Sequence, residues 1–480
     1  MWAACAQHFK DKVRGMELKG KKAGVLGFGK SGFAATRLLL NKGANVVIID
    51  SKKEEDLKSE YMKFLKEKGL EFVHQNFLKD IVKDLDLLVV SPGVPKEVYG
   101  FVESSFDWSG EVIGELELAF RLSKKKNQVI GITGTNGKTT VTAMIGEILR
   151  YSGFKVFVGG NYGIPFSELV LRNEPVDKVV LEVSSFQLET AREFSPKIGL
   201  LLNISPDHLD RYSSEEEYAY FKYKMFSSQE ERDFAVLGEN LRFFEEFKNL
   251  IKGKKLFFGK GNMCTARLLG GYEFSLKLEE EEYYDFVGFK LFGEHNRLNL
   301  IASALSARLA GATREAVREI IRHFRGFPHR LEFVANIGGV YFVNDSKATN
   351  VDAVEKALES LQGSVVLLMG GIFKGGDLNK LKTLIKTKVK ALILFGRDRF
   401  VFGEVLSEAK EVPTYYGTNL FEGVRIAANV AEPGDVVLLS PGGASFDEFS
   451  SYEERGEFFK KGVAEVAKKS LDLRGKAGWH

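Results

Sequence analysis

An α/β fold of three units, each built on a mostly parallel sheet, is what the sequence predicts, and three observations carry that prediction. Short apolar runs recur along the chain and end in glycine-rich or polar residues, among them KAGVL from Lys22, QVIGIT from Gln128 and DVVLLSPGG from Asp435. Two of these runs enter a glycine turn followed by an amphipathic helical segment, the signature of a doubly wound start. The length of 480 residues exceeds what one core fills at about 150 residues per domain.

The elements follow in order. KAGVL is a buried strand, GFGKSG the turn, FAATRLLLNKG a helix closed by Gly43, and NVVIID a second strand. LDLLVVSPGVP, Leu85 to Pro95, is another strand ending in a Pro/Gly loop. The basic run KKKN, Lys124 to Asn127, breaks the apolar pattern and reads as a linker. Strands then fall at KVVLEV from Lys178 and IGLLLNI from Ile198, and a third unit opens near GFPHR, Gly326 to Arg330. It contains VYFVNDS, SVVLLMGG, ALILFG and DVVLLSPGG. The expected domains are 1–123, 124–326 and 327–480.

Composition narrows the function classes. Sixty-eight basic against 65 acidic residues leave a net charge of +3, so nothing asks for nucleic acid or an anionic membrane. Two cysteines, Cys5 and Cys264, stand far apart, which disfavours a zinc site or disulfide framework and suits a reducing cytoplasm. No run approaches the roughly 20 apolar residues of a membrane span. The expected protein is cytoplasmic.

The segment GTNGKTT, Gly134 to Thr140, sits between a strand and the helical run TVTAMIGEILR. That context makes it a phosphate loop. Gly134, Thr135, Asn136 and Gly137 would turn backbone N–H groups toward phosphate, Lys138 would reach the outer phosphates, Thr139 would ligate magnesium, and Thr140 continues the helix start. The strict pattern wants a further glycine where Ile132 stands; Gly134 supplies a tighter turn. ATP is the expected nucleotide.

A second glycine pattern, Gly27, Gly29 and Gly32 with Asp50 at the next strand end, fits a dinucleotide fingerprint. Read alone it suggests a nicotinamide dehydrogenase. The loop specifies only a pyrophosphate seat and a hydroxyl acceptor, however, and no later segment supplies a hydride-transfer site. A nucleotide diphosphate without redox chemistry suits it better.

From Gly131 onward the motifs resemble the Mur ligase family, ATP-dependent amide-forming enzymes of peptidoglycan synthesis. The resemblance rests on GTNGKT, EVSSFQLE at Glu182 to Glu189, NDSKATN at Asn344 to Asn350, and SPGGASFDEF at Ser440 to Phe449. The last three look like the branch that adds D-glutamate. A sibling ligase, a folylpolyglutamate synthase-like enzyme and a non-catalytic nucleotide-binding module are the other readings. The resemblance implies transfer of the ATP γ-phosphate to the carboxylate of UDP-MurNAc-L-alanine, then attack on the acyl phosphate by the amine of D-glutamate.

It also implies roles by position. Two magnesium ions would be held by Thr139, Glu182, His208 in PDHLDRY, and a carbamylated Lys224 in YFKYK, with Lys222 two residues away. Asn161 and Ser184 would bond substrate or phosphate, Asn296 and Asn299 the adenine, Arg330 the γ-phosphate and Asp345 the ribose. Lys347, Thr349, Lys374, Ser445 and Phe446 look like the D-glutamate pocket. Lys30, Ser31 and Gly32 would seat the UDP pyrophosphate, with Asp50 and Ser51 near uracil and Ser91, Pro92 and Gly93 closing that pocket. A monomer that closes on its substrates is expected.

Overall fold

The computed structural model describes residues 16–103, 108–208, 211–291, 293–361, 363–406 and 412–477. Cys5 lies outside them; Cys264 is buried. Three sheets organise the chain. The first carries β1 (Lys22–Leu26), β2 (Asn45–Asp50), β3 (Glu71–His74), β4 (Leu87–Val90) and β5 (Glu111–Gly114), in the order 3-2-1-4-5. All its pairings are parallel. Helices cover both faces of such a sheet, so its strands read as unbroken apolar runs rather than alternations.

The second sheet has nine strands: β6 (Val129–Thr133), β7 (Val156–Gly160), β8 (Lys178–Glu182), β9 (Ile198–Leu201), β10 (Phe234–Gly238), β11 (Lys254–Gly259), β12 (Ala266–Leu269), β13 (Glu273–Lys277) and β14 (Glu281–Asp285). Their order is 14-13-12-11-10-9-6-8-7. Strand β6 lies between β8 and β9, so the loop leaving its carboxyl end is flanked by the ends of both. Helix Lys138–Tyr151 follows that loop. Its buried Val141, Met144, Ile145, Ile148 and Leu149 recur at three- and four-residue spacing and lay one face on the sheet.

The third sheet comprises β15 (Glu332–Ile337), β16 (Val340–Asn344), β17 (Val365–Gly370), β18 (Val389–Phe395), β19 (Thr414–Tyr416) and β20 (Val436–Gly442), ordered 15-16-20-17-18-19. Only β15 runs antiparallel to its neighbour. The chain divides into two compact units, one of residues 1–287 and 298–320, the other of 288–297 and 321–480. The first unit therefore holds the first two sheets. Among the described residues no helix is long and apolar enough to cross a membrane.

The antiparallel β12–β14 meander escaped the sequence reading for a physical reason. β14 alternates exposed and buried positions, but one buried position is Glu282. Its carboxylate accepts hydrogen bonds from Arg308 (3.0 and 2.6 Å) and Tyr284 (2.5 Å) and pairs with Arg314 at 2.9 Å. Burial alone would push this carboxyl up; the bonds from Arg308, Tyr284 and Arg314 outweigh it and hold the pKa at about 2. A depressed carboxyl stabilises the fold above its unfolded pKa and loses that contribution as pH falls toward 2. Glu282→Gln should cost about 2–3 kcal/mol at pH 7. In urea titrations from pH 6 down to pH 2 the difference from wild type should shrink toward zero; a pH-independent difference would contradict this ionic account.

Candidate active site

The phosphate loop is shaped by two glycines and braced from β9. Gly134 has φ +150° and Gly137 φ +87°, and a Cβ on Gly137 would stand 2.6 Å from the Asn299 Oδ1. Thr135 N donates to the Asn203 carbonyl (3.0 Å), Asn136 N to Asn203 Oδ1 (2.8 Å), and Asn203 Nδ2 back to the Asn136 carbonyl (3.1 Å). Asn203 stands two residues beyond the end of β9, so the sheet itself positions the loop. Sequence reasoning passed over this asparagine, whose one signal was a polar residue just beyond an apolar strand.

Two lysine side chains converge on the loop. Lys138 Nζ donates to the Gly134 and Thr135 carbonyls (both 2.8 Å), and Lys222 Nζ donates to the same Gly134 carbonyl at 3.0 Å. Lys222 is 1% exposed and stands 4.4 Å over the Tyr218 ring. Burial, reinforced by the like charge of Lys138, pushes its ammonium well below the usual lysine range, with Asp207 opposing. Lys224, expected here, instead donates to the Leu188 and Glu189 carbonyls (3.1 and 3.0 Å), capping helix Ser185–Glu189; burial lowers its pKa to about 8. On helix Glu215–Lys224 the two lysines lie about 200° apart, so only one can face the loop, and it is Lys222.

Glu182 ends β8, paired with Ile132 of β6 beside the loop. It is 3% exposed; Oε1 accepts from Asn161 Nδ2 at 2.8 Å, while Oε2 is buried with no hydrogen-bond partner. Such an orphaned anion is costly unless a cation answers it. Among the described residues no three His, Cys, Asp or Glu side chains form a metal cluster. The available donors are hard oxygens, Glu182 and Thr139, the latter in the first turn of its helix, and this set fits a magnesium that completes its shell with phosphate and water. His208 has φ +55° and its ring lies 4.7 Å from Phe186 and 6.0 Å from Tyr218. Thr140 occupies the same first turn as Thr139. Ser184, expected on substrate, spends its hydroxyl in a capping box with Gln187.

In the first sheet, Lys30, Ser31, Asp50, Ser51, Ser91, Pro92 and Gly93 all line one cavity of about 420 Å³. Gly32 does not. A Cβ there would collide with the Gly27 carbonyl oxygen, so this glycine serves close helix–turn packing rather than pyrophosphate contact. Asp50 is nearly buried, accepting from Phe28 N (2.5 Å) and Lys52 N (2.9 Å); it braces the loop rather than offering an unengaged carboxylate. Lys30 Nζ donates to the Gly163 carbonyl, in the loop that carries Asn161.

The second unit gathers the remaining candidates. Asp345 is 6% exposed and accepts from Leu331 N (3.2 Å) and Ser440 Oγ (2.9 Å), so it too is a brace, holding the turn that bears Arg330. Lys374 Nζ lies 5.5 Å over the Phe446 ring, and reciprocal backbone bonds join Ile372 to Ala444, next to the buried Ser445. Lys347 Nζ lies 5.8 Å over Tyr452, and Thr349 is half-buried in the same loop. Arg455, fully buried and missed in the sequence, donates to Ser346 Oγ, the Ser346 carbonyl and the Gly443 carbonyl (3.0, 2.9 and 3.0 Å), stitching the DSKATN and SPGGAS loops together. Asn296 and Asn299 both lie on helix Glu294–Leu309.

A phosphate loop with a flanking acidic strand end marks a nucleotide-using enzyme, and the chain belongs to the Mur ligase family. Family models match as the Mur ligase MurD-like N-terminal domain over residues 21–104, the Mur ligase middle domain over 132–307 and the glutamate ligase domain over 329–443. The UDP-N-acetylmuramoylalanine--D-glutamate ligase of Caldanaerobacter subterraneus subsp. tengcongensis is 40% identical over 94% of this chain and 100% of its own. The ligase of the same name from Pelotomaculum thermopropionicum is 39% identical over 93% of this chain and 98% of its own. Among solved structures, UDP-N-acetylmuramoyl-L-alanyl-D-glutamate--2,6-diaminopimelate ligase aligns with TM-score 0.54 at 17% identity, covering 81% of this chain and 92% of that one. UDP-N-acetylmuramate-alanine ligase of Thermotoga maritima aligns at 0.51 and 19%, covering 93% and 99%. These two structures share the fold.

Burial raises the Asp345 carboxyl to about 7, against the hydrogen bonds of Ser440 and Leu331 and the charge of Arg330. A raised carboxyl leaves the fold at full strength below the unfolded pKa near 4 and costs stability as pH climbs to 7. Relative to Asp345→Asn, the nucleotide-free wild type should therefore lose as much as about 4 kcal/mol between pH 4 and 7 and no more above it. Urea midpoints across that range check it; a difference that is constant with pH would refute it.

Proposed function

We propose that this chain is an ATP-dependent ligase that joins D-glutamate to UDP-N-acetylmuramoyl-L-alanine in the cytoplasm, as a monomer of domains 1–123, 124–326 and 327–480. The observation that carries this reading is the convergence of Lys138 and Lys222 on the Gly134 carbonyl beside the unpartnered Glu182 oxygen. The Lys138 cation, a buried lysine beside it and a cation-seeking carboxylate suit a reaction that brings a triphosphate and a carboxylate together. The names of the relatives support the choice of acceptor and donor.

The steps are as follows. An oxygen of the L-alanyl carboxylate attacks the γ-phosphorus as the bond to ADP breaks, giving an acyl phosphate. The D-glutamate amine then attacks the acyl carbon, a tetrahedral intermediate forms, phosphate leaves and the amine gives up its proton. Lys138 neutralises charge on the transferring phosphoryl, the Gly134–Gly137 backbone holds the chain of phosphates, and Asn161 orients Glu182. The cavity lined by Lys30, Ser31 and Ser91 takes the uridine diphosphate. In the second unit Arg330 provides a charge-assisted donor to phosphate, while Lys347 and Lys374 provide cations for a dicarboxylate with Thr349, Ser445 and Phe446. Asn299, against Gly137, and Asn296 would meet the adenine.

Two magnesium ions fit this reading, one on Thr139 and Glu182 and one near His208, and when bound they would screen the repulsion between phosphate and carboxylate. A bare ammonium on Lys222 would oppose a dication. Its depressed pKa favours the free amine, whose nitrogen can bond to the carbon of CO2 and lose a proton, leaving a carbamate of opposite charge. Lys222 is thus the lysine for the modification first expected at Lys224.

The test is phosphate release with UDP-MurNAc-L-alanine, ATP, magnesium and a panel of amino acids. Release confined to D-glutamate, abolished in Lys138→Ala, is expected; turnover with another amino acid only, or NADH oxidation, would overturn the assignment. For the lysine, a carbamate signal from 13C-bicarbonate should appear in wild type and Lys224→Arg and vanish in Lys222→Arg. The reverse pattern would return the role to Lys224.

A further inference from the structure

We propose that Arg211 is a positioning residue that ties the wall of the nucleotide cavity to the turn bearing His208, so that filling the cavity and setting the reaction centre are coupled; this rests on the function proposed above. The guanidinium has three engagements. Its Nε and Nη2 donate to the Glu189 carboxylate at 2.9 and 2.7 Å, Nη2 also donates to the Val94 carbonyl at 3.1 Å, and its carbon lies 4.3 Å over the Phe186 ring.

Each engagement leads somewhere. Val94 lines the 420 Å³ cavity, and its N–H closes a turn onto the Ser91 carbonyl, while Ser91 Oγ donates to Gly27 of the glycine loop (2.6 Å). Arg211 therefore holds the far end of the cavity rim. On the other side, the backbone N–H groups of Arg211 and Tyr212 both donate to the His208 carbonyl (3.0 and 3.1 Å), fixing His208 in its left-handed conformation. Phe186, beneath the guanidinium, contacts the His208 ring, and Tyr212 Oη donates to the same Glu189 carboxylate at 2.7 Å.

The cluster is shielded: side-chain exposure is 15% for Arg211 and 6% for Glu189. A shielded bidentate pair holds geometry in a way that exposed ion pairs do not. The planar fork is required because one group must reach a carboxylate and a carbonyl while stacking on an aromatic face. Lysine keeps the charge but cannot make all three contacts.

Arg211→Lys and Glu189→Gln are compared with wild type in steady-state kinetics, with melting temperature as the check on folding. The expected result is a KM for UDP-MurNAc-L-alanine raised about tenfold and a kcat lowered by a similar factor, with the KM for ATP within about twofold of wild type. Calorimetric affinity for UDP should also fall about tenfold, and the double variant should be no worse than the poorer single one. An unchanged nucleotide-sugar KM and UDP affinity, or KM values for all substrates rising together with a collapsed melting temperature, would overturn the proposal. Wild type lacking D-glutamate-dependent turnover would sink the functional reading instead, and the UDP titration would still decide the role of Arg211.

Discussion

Everything in the central sheet is arranged around the backbone of one short loop. Its carbonyl at Gly134 receives Lys138 and Lys222, and its course is fixed by Asn203, beyond the neighbouring strand, which accepts the Thr135 and Asn136 amides. Backbone amides bind a polyanion well only if they are aimed before it arrives, since aiming them afterwards costs conformational entropy. The order of strands, with β6 between β8 and β9, is what lets one asparagine hold the loop and one glutamate stand alongside.

The same device recurs elsewhere. Asp50 and Asp345 sit at strand ends, both nearly buried, their carboxylate oxygens accepting from nearby backbone amides and, for Asp345, from the Ser440 hydroxyl of β20. The family resemblance places Asp50 near uracil and Asp345 at the ribose. The structure gives them prior engagements. A residue type in a motif shows what chemistry is possible at a position, whereas its partners show how much of that chemistry is already committed.

Much of the fold was legible because parallel strands covered on both faces must be apolar throughout, and such runs stand out against glycine turns. The meander β12–β14 was not, because Glu282 occupies an inward position that pattern reading takes for surface. In the site, the glycines, Lys138 and Glu182 were legible from local context. Lys222 was not, since choosing between two lysines two apart needs the rotation of the helix relative to the loop. Arg455, Asn203 and Arg211 act on residues remote in sequence, and no local pattern announces that.

Arg211 and Arg455 illustrate one principle from two sides. Each is an arginine withdrawn from solvent whose donors go to backbone carbonyls of loops that carry binding residues. Arg211 has a carboxylate partner, and burial with it is tolerable. Arg455 instead donates to a hydroxyl and two carbonyls, and burial lowers its pKa to about 10, with Asp447 and Glu448 opposing. A desolvated cation held mainly by carbonyls and a hydroxyl is costly, so the fold retains it at the expense of stability. The return is that the loops cannot move independently, which is what a reaction between two bound anions and an incoming amine demands of its scaffold.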